Sequence, residues 1–193
     1  MRKLKEIKLL VLMIIMTFLS GCAITAAGGA AAGASASLDR RTAGTVIEDQ
    51  TIEIKAYRAI HADTELDEQS HINITSYNTK VLITGEAPLA EMQQKLTDIV
   101  TGISKVTHVY NEVTVAAPSS MVSRSSDTYI TTKVKTQLFA NEKLNGLVVK
   151  IVTEKGVVYM MGLVSREEAE ISTTIARETG GVQKVVKLFQ YLD

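Results

Sequence analysis

The chain has 193 residues, 46% of them hydrophobic and 22% charged, a composition that is ordinary for a globular protein and excludes a fibrous or disordered one. Its 21 basic and 21 acidic side chains cancel, but the first 21 residues hold four of the bases and one of the acids. The remainder carries 17 against 20, net minus 3, so no global positive excess points to nucleic acid.

The N-terminus reads as a targeting segment. Arg2, Lys3, Lys5 and Lys8 form a basic start, and residues 9–19 are an uncharged apolar run too short for a comfortable transmembrane helix. The run closes on Leu19-Ser20-Gly21-Cys22, which resembles the lipobox of bacterial lipoproteins, where cleavage precedes a cysteine that becomes acylated. Cys22 is the one cysteine of the chain, so its acylation leaves no thiol for disulfide, metal or redox chemistry. The resemblance implies several acyl chains, and at about 0.8 kcal/mol per buried methylene that membrane anchor is effectively permanent. Ala23 follows the cysteine, rather than the Asp that resembles an inner-membrane retention signal. The expected location is therefore the outer membrane, lipid-anchored and facing the periplasm.

Residues 23–37 are Ala, Gly, Ser and Thr with a single Ile, which buries little and suits a tether. Residues 22–50 are assigned to the lipidated cysteine and this tether, after a leader of residues 1–21. Beyond it the chain divides at 116–126, AAPSSMVSRSS, a Pro/Ser-rich linker, and the flanking segments 51–115 and 127–193 read as copies of one unit.

Ile52, Ala56 and Ile60 recur at helical spacing, as do Ile130, Val134 and Leu138, so each copy opens with an amphipathic helix. Residues 71–85, HINITSYNTKVLITG, match 147–162, LVVKIVTEKGVVYMMG. Each is a pair of β-branched alternating runs around a short polar turn, a hairpin ending at a glycine. A second helix starts at Pro88 in one copy and at a Ser165/Glu168 capping box in the other; Gly102-Ile103 and Gly181-Val182 stop it. A last strand covers roughly 106–115 and 185–192. A unit of about 65 residues buries little of its own surface, so mutual packing of the copies is expected to supply part of the stability.

The opening Ile-x-x-x-Val/Ala helix, the hairpin ending in Gly, and a helix running into Gly102-Ile103-x-x-Val106 or Gly181-Val182-x-x-Val185 together resemble the BON domain. That resemblance implies an α+β fold of two tandem αββαβ modules, each a three-stranded mixed sheet packed on two helices. Two such modules behind a lipobox, with Val109-Tyr110-Asn111-Glu112 ending the first and 127–134, DTYITTKV, opening the second, resemble the dual-BON lipoproteins. What these imply is a non-enzymatic periplasmic protein that binds anionic phospholipid through its second BON domain and supports outer-membrane integrity.

No catalytic constellation is legible. His61, His71 and His108 have neither metal-ligand spacing nor a shared helix face, and GxSxG, HExxH and phosphate-cradling glycine loops are missing from the sequence. The expectation is no catalytic residue, no metal and no cofactor. The αββαβ order also occurs in one KH-type arrangement, yet neither copy has a GxxG between helices, so no nucleic-acid partner is expected.

Charge is divided unevenly between the copies. Residues 51–115 hold five bases and nine acids, net minus 4, while 124–193 hold ten and eight, net plus 2. Across 128–141 the charges are Lys133 and Lys135 alone. At about 100° per residue, Tyr129, Lys133 and Thr136 share one edge of that helix and Phe139 lies on the far side of the apolar stripe. Aromatics beside lysines suit a shallow interfacial contact in which Lys133 and Lys135 meet anionic headgroups. The other account has Tyr129 and Phe139 filling the seam between the modules. In the resembling family the Tyr129 position is commonly Trp, a stronger interfacial residue, which implies weaker lipid affinity here. A rival function is a scaffold that binds an envelope protein, such as a β-barrel assembly component, through the acidic first module or the seam.

Overall fold

The structure is a computed structural model describing residues 39–192; the leader, Cys22 and the tether up to residue 38 lie outside the described residues. One chain path is traced twice. In the first copy α1 (Ala43–His61) and a short α2 (Thr64–Gln69) lead into β1 (His71–Tyr77), β2 (Lys80–Ala87) and α3 (Ala90–Thr101). Its third strand comes in two pieces, β3 (His108–Asn111) and β4 (Thr114–Val115). In the second copy α4 (Met121–Ala140) and a 3₁₀ turn (Gly146–Val148) precede β5 (Val149–Glu154), β6 (Val157–Val164), α5 (Arg166–Glu178) and β7 (Lys184–Tyr191). Each hairpin is antiparallel and each third strand runs parallel to the second, in the orders β1-β2-β3 and β5-β6-β7. This is the α+β, doubly repeated αββαβ arrangement with mixed sheets.

Both opening helices begin earlier than composition suggests. α1 starts at Ala43, inside the 22–50 segment assigned to tether, and α4 at Met121, inside the 116–126 segment assigned to linker. The physical reason is the same twice: a hydroxyl caps the helix, Thr42 accepting from the Thr45 N–H at 3.1 Å and Ser120 from the Ser123 N–H at 3.3 Å. Neither helix buries a residue before Asp49 or Asp127, so these first turns show no apolar period to read. Even the residues ahead of α1 belong to the fold. Arg40 pairs with Glu168 at 2.6 Å, and Arg41 pairs with Asp39 and Asp49 at 2.7 and 2.8 Å.

The hairpins close through two-residue turns with positive φ, Asn78 and Thr79 at 50° and 64°, Lys155 and Gly156 at 49° and 72°. Such a turn leaves backbone N–H groups pointing at the neighbouring helix, and one buried aspartate in each copy collects them. Asp49 accepts from the N–H groups of Asn78 and Thr79 at 2.7 and 2.8 Å and from the Ser76 hydroxyl at 2.7 Å. Asp127 accepts from those of Lys155 and Gly156 at 2.9 and 2.8 Å. Each helix is thereby bolted to its own hairpin by charge-assisted bonds.

The glycine expected to end each hairpin lies inside the second strand instead. Gly85 pairs with Ile72 and has φ 119°, and a Cβ there would come within 1.8 Å of the His71 carbonyl oxygen. Only glycine permits the first strand to enter that close.

Alternation along the strands builds three cores. Val81 and Ile83 face Ile52, Ala56 and Leu96 within the first copy; Val158 and Met160 face Val134, Leu138 and Ala169 within the second. The opposite sheet faces meet each other, Tyr77 and Leu82 against Tyr159, Met161 and Leu188. The copies therefore pack sheet on sheet, with helices outside. Polar groups cross the same seam: Lys155 to Glu86 at 3.0 Å, Lys150 to Glu53 at 3.1 Å and Asn73 to Glu154 at 3.1 Å. Burial pushes the Glu86 carboxyl up, but Lys155 and the Ser119 N–H outweigh it and hold it below the usual glutamate value. Glu154 is pushed up, by burial first and by Glu86 and Asp127 as well, against the Asn73 bond.

Candidate membrane-contact face

The second copy's opening helix, α4, buries Ile130, Val134 and Leu138 and turns its opposite side to solvent. Tyr129 is 65% exposed and Phe139 55%, so neither fills the seam, which the sheet side chains occupy. Tyr129, Lys133 and Thr136 do share one line. The Lys133 ammonium stands 5.4 Å from the Tyr129 ring centroid and donates to the Gly180 carbonyl at 2.8 Å. That carbonyl fixes the lysine beside the ring and leaves N–H donors over. Thr136 is exposed, its hydroxyl turned back to the Thr132 carbonyl at 2.9 Å.

Phe139 lies on the far side of the stripe, as helical spacing predicts, and Lys135 joins it there rather than Lys133. Lys135, two positions from Lys133, is about 200° away around the helix. It lines a cleft of about 480 Å³ between the copies, with His71, Asn73, Arg124 and Glu154. Burial pushes the His71 imidazole down, and the nearby Arg124 charge adds to this. Phe139 packs on Gly146, where a Cβ would lie 2.9 Å from the ring. The five residues thus form two groups on different flanks of α4. One residue was missed: Val122, 80% exposed, precedes Tyr129 by seven positions and so lies on the same outward line. It sat in the stretch read as linker, and only the earlier start of α4 puts it on a helix.

Among the described residues no group of His, Cys, Asp or Glu is arranged to hold a metal ion, and no helix is long and apolar enough to cross a membrane. The fold and this surface define a class, a duplicated α+β module whose second copy presents an apolar and basic helix face. Residues 48–117 and 126–193 each match the BON domain. The chain is similar to outer membrane lipoprotein DolP of Haemophilus influenzae, 36% identical over 186 residues and 96% of each chain. It is also similar to the 21 kDa hemolysin of Actinobacillus pleuropneumoniae, 34% identical over 155 residues and 80% of each chain. Among solved structures, the C-terminal domain of CdsD, a structural protein of the type III secretion system of Chlamydia trachomatis, aligns over 75% of this chain and 67% of its own. At 15% identity and a TM-score of 0.30 that likeness carries no weight. The chain belongs to the BON-domain family, among its two-domain, outer-membrane-associated lipoproteins.

Proposed function

We propose that this protein is a non-enzymatic lipoprotein, held by acylated Cys22 in the periplasmic leaflet of the outer membrane, whose second BON domain binds anionic phospholipid peripherally and so supports membrane integrity. The observation that carries the reading is the outward line of α4, where exposed Tyr129 adjoins Lys133 and exposed Val122 lies about two turns before Tyr129 on the same side. Apolar side chains of that kind enter the interface while ammonium groups meet headgroup phosphates; each basic residue near an anionic surface contributes about 1 kcal/mol. Phe139 stands to one side and adds to the contact as a flanking group, whereas Lys135 faces the cleft toward the first domain. Floating the unit 39–193, which holds all three cores, with anionic and zwitterionic vesicles tests this. Binding is expected to favour the anionic vesicles and to weaken in Tyr129→Ala and Lys133→Glu. Equal binding to both vesicle types, or indifference to both substitutions in folded protein, contradicts it.

A second reading, a scaffold for an envelope protein such as a β-barrel assembly component, draws on one feature of the first domain. Exposed Ile54 and Tyr57 of α1 and half-buried Ile72 and Ile74 of the edge strand β1 line an apolar groove of about 450 Å³. On that reading Tyr57→Glu abolishes support of detergent resistance in cells while vesicle binding survives. Retained resistance in Tyr57→Glu removes it.

A further inference from the structure

Three of the ten basic side chains in residues 124–193 gather in one place away from α4. A groove of about 370 Å³ runs between α5 and the free edge of β7, lined by Thr173 and Arg177 from the helix, Lys184, Val185 and Lys187 from the strand, and Gln183 just before it. No acidic residue lines it. Among the described residues Arg177 and Lys184 make no ion pair, and Lys187 has only the exposed Glu170 at 3.5 Å. Arg177 lies in the last turn of α5, where a cation suits the helix dipole, but that accounts for neither lysine.

The first domain supplies the control. Lys184 pairs with Val157, the first residue after its turn, as His108 pairs with Lys80; Lys187 pairs with Met160 as Asn111 pairs with Ile83. Counted from the N-caps Ser165 and Leu89, Arg177 falls where Thr101 does. Three cations therefore stand where the same fold is built with Thr, His and Asn. In the first domain Asn111 turns inward, donating to the Gln93 carbonyl and the Thr97 hydroxyl at 2.7 Å each. The fold needs no charge at these positions, and the second domain has three.

We propose that this groove is a phosphate-binding site. Arg177 presents the planar fork that matches two phosphate oxygens. Lys187 closes on it from the helix-facing side of β7 that it shares with Val185, and Lys184, on the strand's other face, adds its charge at the groove's rim. Its position says which phosphate arrives. Gln183 also lines the adjoining groove that contains Tyr129, Gly180 and Gly181, so the site opens beside the face of α4 that meets lipid. The phosphate is thus the headgroup phosphate of an anionic phospholipid; this assignment of source, unlike the site itself, rests on the lipid reading above.

The test uses the unit 39–193 and its Lys184→Gln/Lys187→Gln variant, with Lys55→Gln/Lys80→Gln in the first domain as the control of equal charge and thermal unfolding as the check of fold. Titration with inorganic phosphate is followed by amide resonances, and binding to phosphatidylglycerol vesicles by flotation. The Gln183 and Lys184 amides are expected to shift saturably with phosphate, and the groove variant to lose that response. Vesicle affinity is expected to fall about fivefold per lysine in the groove variant and far less in the control. Saturable phosphate shifts with vesicle affinity unchanged by the groove variant uphold the site and overturn the lipid as its source. Phosphate shifts in a protein that binds no vesicle uphold the site while the lipid reading fails. No saturable shift at the groove, with vesicle binding lost in Tyr129→Ala but equal in groove and control variants, overturns the proposal and leaves the lipid reading standing.

Discussion

The two domains share a skeleton, from hydroxyl cap to aspartate to hairpin turn, and differ in what they show the solvent. Thr42 and Ser120 each precede their aspartate by seven residues, and each aspartate holds the two N–H groups of a turn. On the outer surface Thr51, Lys55 and Arg58 of α1 occupy the places of Tyr129, Lys133 and Thr136 of α4. Beside the third strand, Thr101, His108 and Asn111 of one domain stand where the other has three cations. Duplication preserved what folds the module and let its surfaces diverge, which makes each domain the control for the other.

The largest effect is expected where the domains depend on one another. Tyr77 is buried in the seam under the Arg41 guanidinium, 4.1 Å from its ring, so Tyr77→Ala is expected to cost about 3–5 kcal/mol by cavity formation. Urea unfolding of 39–193 measures it; a loss under 1 kcal/mol shows that the seam contributes little. Next come the aspartates. Asp49 also binds Ser76 and Arg41, partners Asp127 lacks, so Asp49→Ala is expected to cost about 3 kcal/mol and Asp127→Ala about 2. An inverted order breaks the account of the two bolts.

These two features mark the boundary of what the sequence revealed. The stripes of α1 and α4, both hairpins and the capping box at Ser165 follow from local period and chemistry, and they form as read. The sheet-on-sheet seam had a legible sign: Val81, Leu82 and Ile83, like Val158, Tyr159, Met160 and Met161, are apolar on both faces of their strands, which strands covered on one side only do not need. Asp49 and Asp127 left a fainter one, an aspartate three residues before the first isoleucine of each stripe. Their burial depends on turn N–H groups more than 25 residues away along the chain, which no local window contains. α2 is a six-residue helix on one buried leucine, Leu66, too short for periodicity. The break between β3 and β4 comes from the Asn111 side chain accepting from the Val113 N–H, a competitor to the strand ladder. At the candidate site, Tyr129, Lys133 and Thr136 share one line, as helical spacing predicts. Lys135 lies on another flank, because two positions along a helix turn a side chain through about 200°.

Smaller effects sharpen the contrast between the second helices. α5 has a capping box and α3 has Leu89 at its N-cap with no side-chain bond. Ser165→Ala is expected to lose about 1 kcal/mol and Leu89→Asp to gain up to about 1, both read from thermal unfolding. Equal and negligible changes at the two caps contradict the geometry. Glu154 supplies a pH signature. Its folded carboxyl titrates above the usual glutamate value, so the folded state holds a proton the unfolded chain has released, and stability falls as pH rises through the interval between the two values. Glu154→Gln keeps an acceptor for Asn73 and is expected to be the more stable protein at neutral pH, with the difference vanishing in acid below the usual glutamate range. A difference that grows on acidification contradicts the assignment.

The central claim is that the second domain alone presents a membrane-binding helix face, and tyrosines on the two opening helices permit the most direct comparison. Tyr57 and Tyr129 are both exposed, one on α1 and one on α4. Flotation of Tyr57→Ala and Tyr129→Ala with phosphatidylglycerol vesicles measures the claim. Tyr129→Ala is expected to weaken binding about tenfold, the loss of an interfacial aromatic worth about 1.5 kcal/mol, while Tyr57→Ala binds as the parent does. Equal losses, or a loss confined to Tyr57→Ala, contradict it.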